Sequence, residues 1–431
     1  MRKNGRRGVS FGTVAVLTFT LLILAGSVFV WTRLSSGKTV DLSRLKIESL
    51  DLTIQTGAPE EIRADAQQAA PSPAPTAAQA AKTPEPAAKQ QKSFTLTAAG
   101  TVALEGEVRK NSYYSDSKQY DYYDIMMLLR KELQSDLNIV FAENMFSEEE
   151  KGSDLTAPGA GAAMLKAAGF NAAACGFYKA FGNAEAGIAS TRKLLNEHGI
   201  RPIGIYERDG AEEFRIGEVG GVRTALLQYT DTIAAATRKT MAKNGQSGMV
   251  PAADAEAIGA DIARAREKGA EAVIVLLNWG KTGKGPDKNM RSLAQEIADA
   301  GADLIIGNGS RAVSGAEMLT SAADGKQVLC VWSLGTTLSG DRSGIKRMAG
   351  MLLQVSFTVE NGETKLTDAR YIPLYTWKYK QDGRFYYRCI ASDGGEPDGM
   401  DAEQQKMMSK ALDTVRAAMK DTPVEERTVD E

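Results

Sequence analysis

The chain has 431 residues, 25% charged and 43% hydrophobic, enough for one large globular domain or two medium ones plus non-globular parts. A net charge of −2 and a pI near 5.9 argue against bulk electrostatic attraction to nucleic acid. A single histidine, His198, and three widely spaced cysteines without a CxxC pair argue against a histidine-rich metal site and a disulfide framework.

Arg2, Lys3, Arg6 and Arg7 precede an uncharged apolar run over residues 8–32, followed by Arg33. About 20 apolar residues cross a bilayer as a helix, so the run predicts a single transmembrane anchor. Its basic flank places the N-terminus in the cytoplasm and the remainder outside the cell membrane. A cleavable signal peptide is the competing reading, but the apolar run is long for one and no small-x-small site follows. Residues 38–56 carry recurrent Leu and Ile and read as a juxtamembrane helix or a strand. Residues 57–92 hold six prolines and twelve alanines, a composition that buries no core and predicts a disordered, extended linker.

The globular part opens at Ser93, and residues 93–420 are expected to form one extracytoplasmic domain. Strands are predicted at 94–100 and 136–141, the second ending in Ala142, Glu143 and Asn144. The Tyr- and Asp-rich stretch 113–124 reads as a loop leading into a helix over 125–133 with Asp124 as its N-cap; a sugar or peptide groove is the other reading of its aromatic faces. A helix at 160–169 is followed by a strand at 171–175, and a helix at 186–198 is closed by Gly199. His198 then sits in a last helical turn, where its role is structural. Strands follow at 202–205 and 224–229, then a helix at 252–268, a strand at 272–277, a helix at 289–300 and a strand at 304–306. This alternation predicts an α/β class with a layered core. Strands at 351–359 and 365–371 form a hairpin through Asn361 and Gly362, and 385–390 is a late strand. Helix 402–419 docks through Met408, Ala411, Leu412, Val415 and Met419, and the acidic tail 421–431 is expected to fray.

Three segments concentrate the functional signal: VIVLLNWG (273–280), GADLIIGNGSR (301–311) and VWSLGTT (331–337). Each is an apolar run ending in a polar, Gly-containing tip. In open α/β sheets that edge carries ligands and chemistry.

From about Phe94 to about Met419 the order of motifs resembles the CapA family, also called the poly-γ-glutamate capsule biosynthesis proteins. The anchors are LTAAGTV (96–102), LKAAGFN (165–171), GIASTRKLLNEHGIRPIG (187–204), Asn278 to Gly280, LAQEIADAGADLIIG (293–307) and Ser333 to Gly335. The resemblance implies a layered α/β sandwich of metallophosphoesterase type, with metal ligands at the strand tips. It also marks where this chain departs. The family's first Asp is Thr101, and its Asn-x-Glu falls near Ala142, Glu143 and Asn144. Its Asn-Asn-His falls on Phe177, Tyr178 and Lys179, and the following Asp on Gly182. Its His-Trp-Gly is Asn278, Trp279 and Gly280, with Thr282 where an acid follows. Its Gly-His-x-x-His becomes Gly307, Asn308 and Arg311, and its Ser-Leu-Gly-Asn becomes Ser333, Leu334, Gly335 and Thr336.

A metal needs several anionic or imidazole donors converging on one point. With no histidine at any of these tips, the expectation is a degenerate cleft with no metal, no cofactor and no catalytic residue. Its candidate binding residues are Thr101, Glu143, Asn144, Lys179, Asn278, Trp279, Asn308, Arg311 and Ser333. Lys179 and Arg311 stand where the family has histidines, and Lys281, Lys284 and Lys288 lie on a neighbouring loop. Together they could hold a carboxylate or phosphate, although solvated surface cations are the plainer reading. Glu105 and Glu143 are the acids near the tips, and Cys175 lacks an adjacent base for a nucleophilic role. The expected function is a membrane-anchored binding or scaffold component in capsule or related envelope polymer biosynthesis, partnered by an anionic polymer and polymer-synthase subunits. The alternative is a divergent hydrolase or transferase acting on such a polymer.

Overall fold

The computed structural model describes residues 91–148, 156–208 and 216–427. The expected anchor and the linker up to residue 90 lie outside these residues, whereas Lys92, expected as the linker's end, opens the first strand and ion-pairs with Glu271 at 2.8 Å. Among the described residues no helix is long and apolar enough to cross a membrane.

Two sheets carry the fold. In the first, the spatial order is Arg384–Ala391, Glu363–Gln381, Ala349–Glu360, Lys92–Val102, Leu137–Ala142, Ala172–Ala174 and Arg201–Ile203. The last four strands are parallel and the first three pair antiparallel, so one half of the sheet is a hairpin extension of the other. In the second, Gln327–Val331, Leu304–Asn308, Ala272–Asn278 and Val222–Thr230 run parallel, with Ala316–Thr320 and Ile216–Val219 as antiparallel edges.

Period-2 alternation explains the layering. Leu96, Ala98, Ile139 and Phe141 of the first sheet and Leu226, Ile274, Leu276, Leu304 and Ile306 of the second share one buried core. Their neighbours point outward to helices. Val140 and Ala173 pack with Leu165, Ile188 and Leu195 from helices Gly159–Ala168 and Ala184–Glu197. Val273, Val275 and Ile305 pack with Ile258, Ile262, Ala294 and Ile297 from helices Ala255–Glu267 and Lys288–Asp299. The result is helices, sheet, sheet, helices: a mixed α/β sandwich. Strands that are buried on both faces need uninterrupted apolar runs, which is what residues 273–277 and 304–306 provide. Helix Ala402–Met419 starts from a capping box at Asp401 and Gln404 and buries Met408, Ala411, Leu412, Val415 and Met419 in the inter-sheet core. The long hairpin turns at Asn361 and Gly362, both with positive φ (54° and 82°), the signature of a type I′ turn.

Two expectations need correction. Residues 123–132 form two 3₁₀ turns, Tyr123–Ile125 and Met127–Glu132, and not a helix capped by Asp124. Asp121 takes the Tyr123 N–H at 2.9 Å, and Asp124 reaches out to Arg388 Nη2 at 3.4 Å. The acidic tail also does not fray at Asp421. Glu425–Glu426 pairs in parallel with Arg370 and Tyr371, Val424 is buried, and Arg427 ion-pairs with Glu132 and Asp393. Its acidic composition hid one apolar and one cationic anchor, which outweigh the repulsion. The Tyr-rich stretch contains a small hairpin, Tyr113–Tyr114 with Gln119–Tyr120. Helices Gly106–Ser112 and Ala235–Lys243 have no counterpart in the sequence expectations.

Candidate functional site

The C-terminal ends of Lys92–Val102, Leu137–Ala142, Ala272–Asn278 and Leu304–Asn308 meet at one rim. Asn278 and Asn308 are register partners on neighbouring strands of one sheet. Thr101 lies at a register shift in the first sheet and pairs with Thr336. Within each sheet, glycines stand where neighbouring segments of the rim come closest. A Cβ on Gly100 would sit 2.3 Å from the Gly335 carbonyl oxygen, and one on Gly307 would sit 2.2 Å from Trp279 Nε1.

At the centre lies Glu143, which is 5% exposed. Its Oε2 accepts from Arg311 Nη2 at 2.7 Å and Nε at 3.1 Å. Its Oε1 accepts from Thr101 Oγ1 at 2.9 Å and faces Asn278 Nδ2 at 3.5 Å. Arg311 Nη1 reaches Glu105 Oε1 at 3.1 Å, and the other oxygen of Glu105 is 3.7 Å from Lys179 Nζ. Burial alone would lower the Arg311 pKa, but the carboxylates of Glu143 and then Glu105 outweigh it and hold the guanidinium above its ordinary value. Arg311 adopts a left-handed backbone (φ 56°), uncommon for a residue with a side chain, and this conformation aims its fork inward. The Asn308 amide is best oriented with its nitrogen donating to the Gly335 carbonyl (3.2 Å) and its oxygen accepting from Thr101 N–H (3.2 Å). The single Thr101 hydroxyl proton is then shared between that oxygen at 2.8 Å and Glu143 Oε1.

This donor set does not suit a catalytic divalent metal. One buried carboxylate is present, and a guanidinium already covers it. Its other neighbours are a hydroxyl and two amides, weak ligands at best. Among the described residues no group of three or more His, Cys, Asp or Glu side chains is arranged to hold a metal ion. Arg311 supplies the positive charge beside Glu143.

Beside this cluster is a cleft of about 520 Å³ lined by Glu143, Tyr178, Thr232, Asn278, Lys281 and Arg311, among others. Of the residues singled out from the sequence, Thr101, Glu143, Asn278, Asn308 and Arg311 meet directly, and Lys179 joins them through Glu105. Glu143, Asn278 and Arg311 line the cleft, Thr101 and Asn308 are buried behind them, and three others stand apart from the cluster. Trp279 is buried, stacks on Trp332 at 5.6 Å between ring centroids and donates Nε1 to the Trp332 carbonyl at 3.0 Å. Asn144 accepts from the Leu104 N–H at 2.6 Å, and Ser333 Oγ accepts from Ser310 Oγ at 3.0 Å. These are buried struts behind the rim. Sequence reasoning passed over Thr232, whose hydroxyl donates to Asn278 Oδ1 at 2.8 Å, and Arg347, which lines the cleft and ion-pairs with Asp341 at 2.6 Å. The polar tip Thr230 to Thr232 after an apolar run was a readable signal; Arg347, on a 3₁₀ turn, gave none.

Comparison with known proteins bears on the same region. Residues 95–341 match the family model described as bacterial capsule synthesis protein PGA_cap. The chain is 34% identical over 101 residues to the PGA biosynthesis protein CapA of Bacillus subtilis (strain 168), covering 23% of this chain and 25% of that protein. It is 30% identical over 127 residues to the capsule biosynthesis protein CapA of Bacillus anthracis, covering 28% of this chain and 30% of that one. Less than a third of either relative is therefore matched. Among solved structures, the calcineurin-like phosphoesterase YfkN of Bacillus subtilis aligns at TM-score 0.41 and 12% identity over 76% of this chain and all of that one. A phosphatase of Mycoplasma pneumoniae aligns at TM-score 0.38 and 12% identity over 66% of this chain and 95% of that one. The layered architecture described above rests on this chain's own strand order and not on these distant likenesses. Since the family match spans more than half of the 431 residues, the chain belongs to the bacterial capsule synthesis protein PGA_cap family.

Proposed function

We propose that this protein is a membrane-anchored, extracytoplasmic member of its family that binds an anionic envelope polymer and does not cleave it. The observation that carries this reading is the Arg311 fork on Glu143. A metal-dependent hydrolase recruits its cation from solution and keeps coordination positions open for water and substrate. Here the cation is part of the chain and its donors are already committed. We read the sandwich as the metallophosphoesterase type from the order of the strand-tip motifs, and the anchor from residues 8–32. The names of the relatives suggest capsule polymer, and poly-γ-glutamate, a polycarboxylate, is the first candidate ligand.

Charge within the cluster is balanced, because Glu105 and Glu143 face Arg311 and Lys179. Attraction for a polyanion therefore falls to Lys281, exposed on the cleft wall, and to exchange at Glu105. A polymer carboxylate that displaces Glu105 meets Arg311 Nη1 and Lys179 Nζ together. Such a site holds a chain without cutting it, a role that suits a component beside polymer-synthase subunits. To test this, labelled poly-γ-glutamate is titrated into the full-length protein at low and physiological salt. Lys179→Glu with Lys281→Glu leaves the Arg311–Glu143 contact intact and should weaken binding about tenfold or more. Unchanged affinity, or shortening of the polymer by the wild-type protein, would contradict the reading.

A further inference from the structure

Arg342 makes a telling contrast with Arg311. Arg311 spends its Nε–Nη2 edge on the Glu143 carboxylate. The same edge of Arg342 is sealed from solvent, and among the described residues neither Nε nor Nη2 has a hydrogen-bond partner. Its single hydrogen bond runs from Nη1 to the Thr376 carbonyl at 2.8 Å. The adjacent carboxylate offers no help, because Asp341 is taken by Arg347 at 2.6 Å and by the Ser343 N–H and hydroxyl at 2.9 and 2.6 Å.

One stranded donor lies beside the same guanidinium, and a second belongs to the strand that Thr376 and Cys389 contact. Arg342 Cζ is 5.6 Å from the centre of the Tyr387 ring, and the Tyr387 hydroxyl is buried without a partner. Thr337 is fully buried and its hydroxyl is likewise unpartnered. Thr337 is tied to this place through its carbonyl, which accepts from Thr376 Oγ1 at 2.9 Å and Cys389 Sγ at 3.0 Å. Each of the stranded side chains has a proton to give, and no acceptor or anion among the described residues answers them. Leaving a guanidinium edge dry and unpaired is among the costlier arrangements in a folded protein. Buried polar atoms without partners point to an ion or water that the chain itself does not supply.

We infer that Arg342, Tyr387 and Thr337 form a binding site for a small inorganic anion, held by the Nε–Nη2 fork and the two hydroxyls. The fork suits a halide or one edge of a small oxyanion. The site is built from the loop after Thr336–Leu338 and from strands Glu363–Gln381 and Arg384–Ala391, so an anion there would tie the first sheet's hairpin extension to the segment that follows Thr336. None of its three residues belongs to the Arg311–Glu143 cluster, and its test does not depend on what the cleft binds.

Bromide is the probe. The full-length protein is unfolded thermally in sodium bromide or in sodium gluconate at matched ionic strength, and crystals grown in bromide are measured at the bromine edge. We expect a saturable rise of about 2 °C in the midpoint with bromide and an anomalous peak between Arg342 and Tyr387. Tyr387→Phe should shift the bromide dependence to higher concentration, and Arg342→Met should abolish it. If Arg342→Met does not fold, the wild-type peak and the Tyr387→Phe shift still decide. Equal midpoints in both salts, or a water in place of the anomalous peak, would overturn the site.

Discussion

Arg311 Nη2 and Nε lie 2.7 and 3.1 Å from one oxygen of Glu143, so the one carboxylate at the centre of the rim is met by a built-in guanidinium. Both side chains are largely withdrawn from water, at 14% and 3% exposure. Removing one partner leaves the other buried and uncompensated. Arg311→Met should therefore destabilise the protein by about 3–5 kcal/mol in urea unfolding. Adding Glu143→Gln to that variant should recover a substantial part, because the stranded charge is gone. If the two losses simply add, the residues do not act as a pair.

The C-terminal segment makes a second, independent test. Arg427 serves Glu132 and Asp393, which are 3% and 6% exposed, and its Nη1 reaches Gln354 Oε1 at 3.1 Å. Arg427→Ala leaves both carboxylates to the more exposed Lys131, whose Nζ lies 3.1 Å from Glu132 and 3.8 Å from Asp393. It should cost about 3 kcal/mol or more, measured by urea unfolding, whereas truncation after Arg427 should cost little. A loss under about 0.5 kcal/mol for Arg427→Ala would mean the tail is ornamental.

These two pairs show what could be read in the chain and what could not. Period-2 and helical patterns disclosed the layers, since strands such as 272–277 are apolar throughout and helix 402–419 carries its stripe openly. The rim was legible because apolar runs end in polar tips at Asn278, Asn308 and Arg311. Partners were not legible. Nothing local says that Arg311 will meet Glu143, 168 residues away, or that Arg427 will meet Glu132, 295 residues away. A buried Trp279 and an open one look alike in sequence, and only Trp332 stacking on it decides. Residues 123–132 carry helix-like apolar spacing but form 3₁₀ turns, and Asp121 accepts the Tyr123 N–H at their start.

Acid should expose the Asp341–Arg347 contact at the cleft. Burial alone would raise Asp341, but hydrogen bonds from Ser343 and Arg347 outweigh it and hold the carboxyl at about 2. A depressed pKa contributes stability that is present above the unfolded value of about 4 and is lost as pH falls towards about 2. Urea midpoints should fall across that window, and Arg347→Met should fall less steeply there than wild type. Parallel curves would show that this contact adds nothing.

The cysteines should be inert in the native protein. All three are buried, and burial pushes the Cys175 thiol up to about 12 and raises Cys330 and Cys389 as well. At pH near 8 very little thiolate is present, so Ellman's reagent should detect almost none until denaturant is added, then three per chain. Rapid native labelling of Cys175, at its strand tip, would reopen a nucleophilic role for it.

Metal content tests the central claim most directly. The full-length protein is equilibrated with Mn²⁺ or Zn²⁺, freed of excess, and its metal measured by mass spectrometry beside Glu143→Gln. With Arg311 supplying the positive charge beside Glu143, the account predicts far less than one ion per chain and no difference between the two proteins. One tightly held ion per chain that is lost in Glu143→Gln would contradict it.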